Sequence, residues 1–496
     1  MNGFLPRRRV IADRHPRCGR GTRSRAVFAC LAGGITLVAG CAQFHPQPIS
    51  AAANATTLDE RGLDNPRLRK FIKIGLETDG EATPSSRWDL PALTLAALYY
   101  HPDLDIARAK LAGAKAGAVT AAQRPNPTLS FQDLGYNATI ATPSPWAIAP
   151  VINFLIETAD KREYRTAAAQ HLTEAARRDL ATAAWTVRGG VRTALLDLWA
   201  ARRRLALMQQ RLELQGQLVG FLERQHAMGE VSALDLSRER LMRNQIELAL
   251  RDTERQEADS RARLAGAIGI PNHALDGIDL SFDEFDRAAG IEPLPRIGTL
   301  RRQALLGRSD VQALLEEYAA AQSALQLQIA RQYPDVTLSP GYGYDAGSNV
   351  YLLLSAVELP IFNQNQGPIA EAEARRQEAA ARFTALQAQI IGAIDSAAAN
   401  YGAAIKTLSA ASSLLAGERS RESRLSRSLR AGEIDRPALV TAKLERVTAE
   451  ISRLDAVVQQ RQALGRLEDA LQQPLFDPAS RIFAPETNPR TSPEPT

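Results

Sequence analysis

Cysteine is nearly absent: there are three in 496 residues, and Cys18 and Cys30 both precede the third, Cys41. A chain left with one cysteine after position 40 can form no internal disulfide and no cysteine-based metal site. Histidine is as sparse. The six histidines (His15, His45, His101, His171, His226 and His273) show no HxxxH or HExxH spacing, and no P-loop or nucleophile-elbow pattern occurs. No catalytic residue, resident metal or cofactor is therefore expected. Aromatic residues make up 5% of the chain, and the one sustained apolar run, Ala26 to Gly40, is about 15 residues, too short to span a bilayer comfortably. The excess of positive charge is local. Eight of the arginines lie within the first 40 residues against the single acid Asp13, and the remainder is close to neutral. A nucleic-acid-binding face needs basic residues clustered on the folded domain, so nucleic acid is excluded as a partner.

What is there begins with that arginine-rich start. A basic flank, a short apolar run and small residues at Ala39 and Gly40 directly before Cys41 form a lipoprotein signal, with residues 1–40 expected to be cleaved and the Cys41 thiol acylated. Ala42, rather than an aspartate, follows the cysteine and favours onward sorting to the outer membrane. Residues 41–89 are mixed in composition and are expected to be the lipid anchor and an N-terminal tether.

From Leu90 onward the chain repeats itself. Asp103, Pro127, Leu129 and Phe131 recur as Asp310, Pro334, Val336 and Leu338 at an offset of 207. The stretch from Leu155 aligns with that from Leu359 at 204, and the turn Gly229, Glu230, Val231 returns as Gly432, Glu433, Ile434 at 203, an offset that Leu236 and Leu439 keep. A fixed period of this kind marks duplication. Each half reads helix, strand, strand, long helix, tight turn, helix. The first repeat is expected over 90–270, with strands at about 128–157 and a helical tip at about 228–235. A linker follows over 271–296, then a second repeat over 297–473, with strands at about 335–360 and a tip at about 431–437, and a tail over 474–496.

The helices are written in heptads. Ala184, Val191, Leu198, Leu205, Leu212 and Val219 fall seven apart, and Val187, Ala194, Ala201, Met208 and Leu222 occupy the companion seam. Phe383, Leu386, Ile390, Ala393, Ala397, Tyr401, Ala404, Leu408, Ala411 and Leu415 step by threes and fours in the second half, as do Val440, Leu444, Val447, Ile451, Leu454 and Val458 on the returning helix. Outgoing helices of about 65 residues reach roughly 100 Å, far more than a globular domain needs. Alanine-rich seams give little burial per residue, so further helices must pack alongside.

The strands carry a different period. Val336, Leu338, Pro340, Tyr342 and Tyr344 alternate with Thr337, Ser339, Gly341, Gly343 and Asp345, placing apolar groups on one face and small polar groups on the other. That is the pattern of a membrane barrel with a wet lumen. Val350 to Leu359 returns after a hairpin at Ala346–Asn349, and Leu129–Gly135 and Trp146–Ile156 are the first-half counterparts. Four strands cannot close a barrel when the smallest have about eight, and a sheet in lipid cannot leave open edges. Closure must be intermolecular; three copies would supply twelve strands.

These residues resemble the TolC family of outer-membrane efflux proteins over about Leu90 to Leu471. More narrowly, ETADKREYR (Glu157–Arg165) and ELPIFNQNQGPIAEAEA (Glu358–Ala374) resemble signature stretches of the cobalt-zinc-cadmium heavy-metal branch. The resemblance implies a mainly α fold with a transmembrane β part: a trimeric 12-stranded β-barrel joined to a periplasmic α-barrel. It also implies partners, namely a periplasmic adaptor and a proton-driven inner-membrane resistance-nodulation-division pump. The tips, with Gly229, Glu230, Val231, Leu236, Gly432, Glu433, Ile434 and Leu439, would dock the adaptor. Glu230, Glu433 and Asp435 would ring the entrance. Some members carry acids six and nine residues after the second tip glycine, where this chain has Ala438 and Thr441.

The function expected is an outer-membrane duct for divalent heavy-metal cations. The alternatives are the same duct for drugs or other small organic molecules, and a lipoprotein tether without a pore.

Overall fold

The computed structural model describes residues 43–75, 87–139, 144–286, 294–345 and 347–475. The expected signal peptide, Cys41 and most of the C-terminal tail lie outside the described residues. Two compact units are distinguished, one ending at Thr57 and one starting at Leu58. The described part of the first contains most of a short helix, α1 (Ala51–Asp59), with no buried residue.

The second unit holds everything else. Its elements run α2 (Pro66–Gly75), β1 (Arg87–Trp88), α3 (Leu90–Tyr100), α4 (Pro102–Ala122), β2 (Thr128–Tyr136), β3 (Trp146–Ile156), α5 (Lys161–Ala227), α6 (Ala233–Ile268), a 3₁₀ turn (Asn272–Leu275), β4 (Asp279–Leu280), α7 (Asp283–Asp286), α8 (Ile297–Gly307), α9 (Ser309–Ala330), β5 (Val336–Asp345), β6 (Ser348–Val357), α10 (Gln366–Arg430) and α11 (Arg436–Leu471). The element order is duplicated: helices α4 and α9 each lead into a strand pair, followed by a long helix, a tight turn and a helix of 36 residues. The long helices α5 and α10 have 67 and 65 residues. At 1.5 Å per residue each is roughly 100 Å long.

The heptad seams are buried as their spacing requires. Val191 and Leu198 are fully enclosed, and Val187, Ala194, Ala201, Met208 and Val219 are buried with them. The buried face of α5 is wider than a two-helix seam, because Leu195, Leu196, Trp199, Leu214 and Leu218 are buried too. The reason is that α5 packs against α4, α6, α9 and α11. Near its far end Leu214 and Leu218 meet Val440 and Val447 of α11, while Met208 meets Ile246 and Leu250 of α6. On α10 the seam departs from the expected spacing at one point: Ala393 faces solvent and Ile394 is fully buried, against Leu300 of α8 and Leu467 of α11. The larger side chain takes the enclosed position because α8 widens the contact there.

The largest core cluster lies where α3 is clasped by α5 and α6, with Leu93, Leu195, Leu198, Leu264 and Ile268 at its centre. β1 and β4 pair in parallel beside it, tying the segment before the first repeat to the segment after it.

Candidate functional site

The four long strands form one antiparallel sheet in the order β2-β3-β5-β6. Register places Leu129 beside Ile152, Phe131 beside Pro150 and Leu134 beside Ile148. It continues with Phe154 beside Leu338, Pro340 beside Leu353 and Tyr342 beside Tyr351. These residues share one face, and it is an almost unbroken apolar band; Leu129, Leu134, Tyr351 and Leu353 stand well exposed on it. The alternation in β2 fails after Phe131, since the next apolar residue is three positions on. A bulge between Phe131 and Asp133 absorbs the extra residue and returns Leu134 and Tyr136 to the apolar face. At the hairpin end of the sheet Tyr136 packs edge-on to Trp146 and Tyr342 to Tyr351, with ring centroids 5.0 and 5.9 Å apart. Amphipathic rings at one rim of an apolar band are what a lipid–water boundary selects.

The opposite face is built from small and polar groups. Asn153 donates to Ser130 at 2.9 Å, and Ser339 donates to Asn153 at 2.6 Å, linking β2, β3 and β5. Beside them the Val151 side chain lies where a Cβ on Gly341 would have to sit, so only glycine fits there. Sequence reasoning missed this linkage, although an asparagine inside the apolar run of β3 was its signal.

Below the sheet, both strand pairs enter their long helices through left-handed residues. Ala159 and Asp160 have φ of 54° and 58°, and Asn365 has 64°. Around the first elbow, Lys161 is 7% exposed and donates to Asp335 at 2.6 Å and to the Tyr333 carbonyl at 2.7 Å. Asp335 also accepts from the Thr158 backbone N–H at 2.9 Å. Burial works to raise the Asp335 carboxyl, but the bonds from Lys161 and Thr158 outweigh it and hold it below its ordinary value. Arg165 makes a two-pronged pair with Glu157 and reaches the Ala121 carbonyl at 2.8 Å, fixing the end of α4. At the second elbow Asn365 donates to the Gln328 carbonyl at 2.6 Å. These groups line a cleft of about 520 Å³. The two stretches that carry the heavy-metal resemblance are thus the two elbows, and their polar residues tie strands to helices.

At the other end of the molecule the tips match. Gly229 has φ of 78° and Gly432 of 76°; Glu230 donates back to the Gln225 carbonyl and Glu433 to that of Ser428, both at 2.9 Å. Such a reversal needs positive φ at the residue after the helix, which favours glycine. The Ser232 side chain caps α6 and Asp435 caps α11, each accepting from a backbone N–H at 3.1 Å. Glu230 and Glu433 are exposed, Val231, Ile434 and Leu439 half-buried, and Leu236 buried. Asp435 is therefore occupied as a helix cap, unlike the two glutamates. Between the tips a shallow apolar hollow is lined by Phe221, Met228 and Pro437. Among the described residues no group of three or more His, Cys, Asp or Glu could hold a metal ion, and no helix is long and apolar enough to cross a membrane.

No family model matches the sequence. Among curated proteins the chain is 25% identical over 337 residues to the pyoverdine export outer membrane protein OpmQ of Pseudomonas aeruginosa, covering 62% of this chain and 69% of OpmQ. It is 26% identical over 269 residues to the cobalt-zinc-cadmium resistance protein CzcC of Cupriavidus metallidurans, covering 53% of this chain and 61% of CzcC. Among solved structures, the outer membrane protein VceC of Vibrio cholerae superposes with a TM-score of 0.62 at 20% identity, over 77% of this chain and 96% of VceC. The channel OprN gives 0.64 at 18%, over 87% and 98%. CusC gives 0.61 at 18%, over 77% and 91%. The fold is shared with these outer-membrane channels: a sheet of β2, β3, β5 and β6 joined to two long helical hairpins. In sequence the chain is similar to CzcC and OpmQ, and in fold to VceC, OprN and CusC.

Proposed function

We propose that three copies of this chain close a twelve-stranded barrel and form the exit duct of a tripartite pump that exports divalent heavy-metal cations. The observation that carries the reading is the sheet: four antiparallel strands with an apolar outer face leave β2 and β6 as unpaired edges. An open edge in lipid costs several kcal/mol per unsatisfied backbone group, roughly, so the edges must meet those of other copies. An even number of strands per chain lets the ring close with every pair antiparallel. Residues 1–40 act as a lipoprotein signal, Cys41 is the lipid attachment, and the repeats over 90–270 and 297–473 each add two strands and one hairpin.

The tips at Gly229–Leu236 and Gly432–Leu439 dock the periplasmic adaptor. Glu230 and Glu433, exposed and three-fold repeated, draw cations to the entrance; Asp435 contributes field from its capping position. An inner-membrane, proton-driven resistance-nodulation-division pump supplies the energy, and this chain performs no chemistry.

The metal cargo is supported by the similarity to CzcC and by the two elbow stretches. Similarity to OpmQ favours a second reading, in which the same duct passes small organic molecules. Deleting the gene separates them. Growth inhibited at several-fold lower cobalt, zinc or cadmium is expected, whereas unchanged metal tolerance together with new sensitivity to organic compounds would replace the cargo.

A further inference from the structure

After β6 the chain runs through Glu358, Leu359, Pro360, Ile361 and Phe362 before α10 begins. This segment is ordered by its own bonds: Ile361 donates to the Leu359 carbonyl at 2.8 Å, and the Asn365 N–H to the Asn363 side chain at 2.8 Å. It nonetheless holds Leu359 and Ile361 70% exposed and Phe362 99% exposed. A shaped loop that presents three large apolar groups to water marks an interaction surface. On the opposite edge of the sheet, β2 is preceded by Arg124, Pro125, Asn126 and Pro127, all exposed, on a segment whose root Arg165 pins at the Gln123 carbonyl.

We infer that these two segments form a clasp between neighbouring copies, with Phe362 of one subunit seated on Pro125 and Pro127 of the next and Glu358 paired with Arg124. The occupant is fixed by topology. β6 runs toward the helices and β2 runs away from them, so when the edge of β6 meets the edge of β2 on a second copy, the end of one lies beside the start of the other at the helix-side rim. The charges are complementary, since Glu358 and Arg124 have no ion-pair partner among the described residues of their own chain. An aromatic ring against proline rings is a compact apolar contact that needs little reordering from two segments already held in place. A lipid surface is the less suitable occupant, because Glu358 would be carried to the membrane boundary with Phe362. The inference rests on the barrel of several copies proposed above and adds to it a latch outside the strands.

Cysteine pairs test it in the full-length chain. Within one subunit the two segments are separated by three strand spacings, about 14 Å. A disulfide needs Cα atoms within about 7 Å, so a bond between them can form only across subunits. Phe362→Cys combined with Pro125→Cys, and separately with Pro127→Cys, is oxidised in outer membranes with copper phenanthroline. At least one pair is expected to give a ladder ending in a covalent trimer that survives boiling and collapses to monomer with reductant, while the single-cysteine chains give none. Phe362→Asp is expected to dissociate to monomer at a temperature several degrees lower than the parent does. If the parent and both pairs run as heat-sensitive trimers but no ladder forms, the clasp is wrong and lipid covers Phe362. If the parent itself is monomeric in mild detergent, the barrel of several copies fails and the clasp with it.

Discussion

Lys161 shows how much one side chain can hold at the junction of sheet and helices. Its ammonium is nearly enclosed and satisfies both Asp335 and the Tyr333 carbonyl, which lie just ahead of β5, while Lys161 itself opens α5. Beside the β3–β5 pairing, this cation is thus a further link between the two halves of the duplication. Because Asp335 titrates below its ordinary value of 3.8, its pairing stabilises the fold fully above that pH and loses the contribution as pH falls through the depressed value. Replacing Lys161→Met is expected to cost about 2 kcal/mol at neutral pH, the loss of charge-assisted hydrogen bonds at a partly buried site. It should also flatten the fall in stability as pH drops below about 4, because the variant no longer has this ion pair to lose. Thermal unfolding of the detergent-extracted protein, followed by circular dichroism across pH, measures both. Lys161 sits within a stretch that the sequence marked as distinctive, but its partner could not be read there: Asp335 is 174 positions away, and only the fold brings them together.

At the scale of elements, Arg192 of α5 crosses α11 at a glycine, Gly465. A Cβ at Gly465 would fall on the Arg192 guanidinium, which lies across α11 there and approaches Glu468 at 3.5 Å and Asp469 at 3.9 Å. Arg192 and Glu468 are both buried, so displacing the arginine would take from this carboxylate its nearer guanidinium and leave it Arg188 at 4.0 Å and the Leu475 N–H at 3.1 Å. Gly465→Ala, harmless to an isolated helix, is expected to destabilise by about 3 kcal/mol, combining overpacking with a broken buried pair. Alanine at Gly220, a helical site with open space around it, should have no such effect and serves as the comparison in the same denaturation experiment. The heptads announced that α5 would pack along its length, and Val191, Leu198 and Val219 are buried accordingly. They could not announce this polar crossing, since neither Gly465 nor Arg192 belongs to an apolar period.

For the whole molecule, the decisive property is that the apolar band of the sheet stands exposed, with Leu129, Leu134, Tyr351 and Leu353 60% or more open. Attachment to the membrane is proposed to have a second, independent source in Cys41. Cys41→Ser is expected to abolish palmitate labelling while leaving the strands able to insert; labelling that persists would show that the acylated position had been misread. The sequence by itself determined the periods: heptads that demand long packed helices, dyads that demand a two-faced sheet, and a repeat near 203–207 residues that demands each of them twice. These are legible because burial on one face of a helix or strand imposes a fixed spacing along the chain. Tertiary structure decided what spacing does not encode. It showed that a bulge after Phe131 keeps β2 on its face, that the distinctive Glu157 and Glu358 stretches are the elbows tying strands to helices, and that Asp335 answers Lys161 across the duplication. Each of those depends on distances between residues far apart in the chain, which no local period can carry.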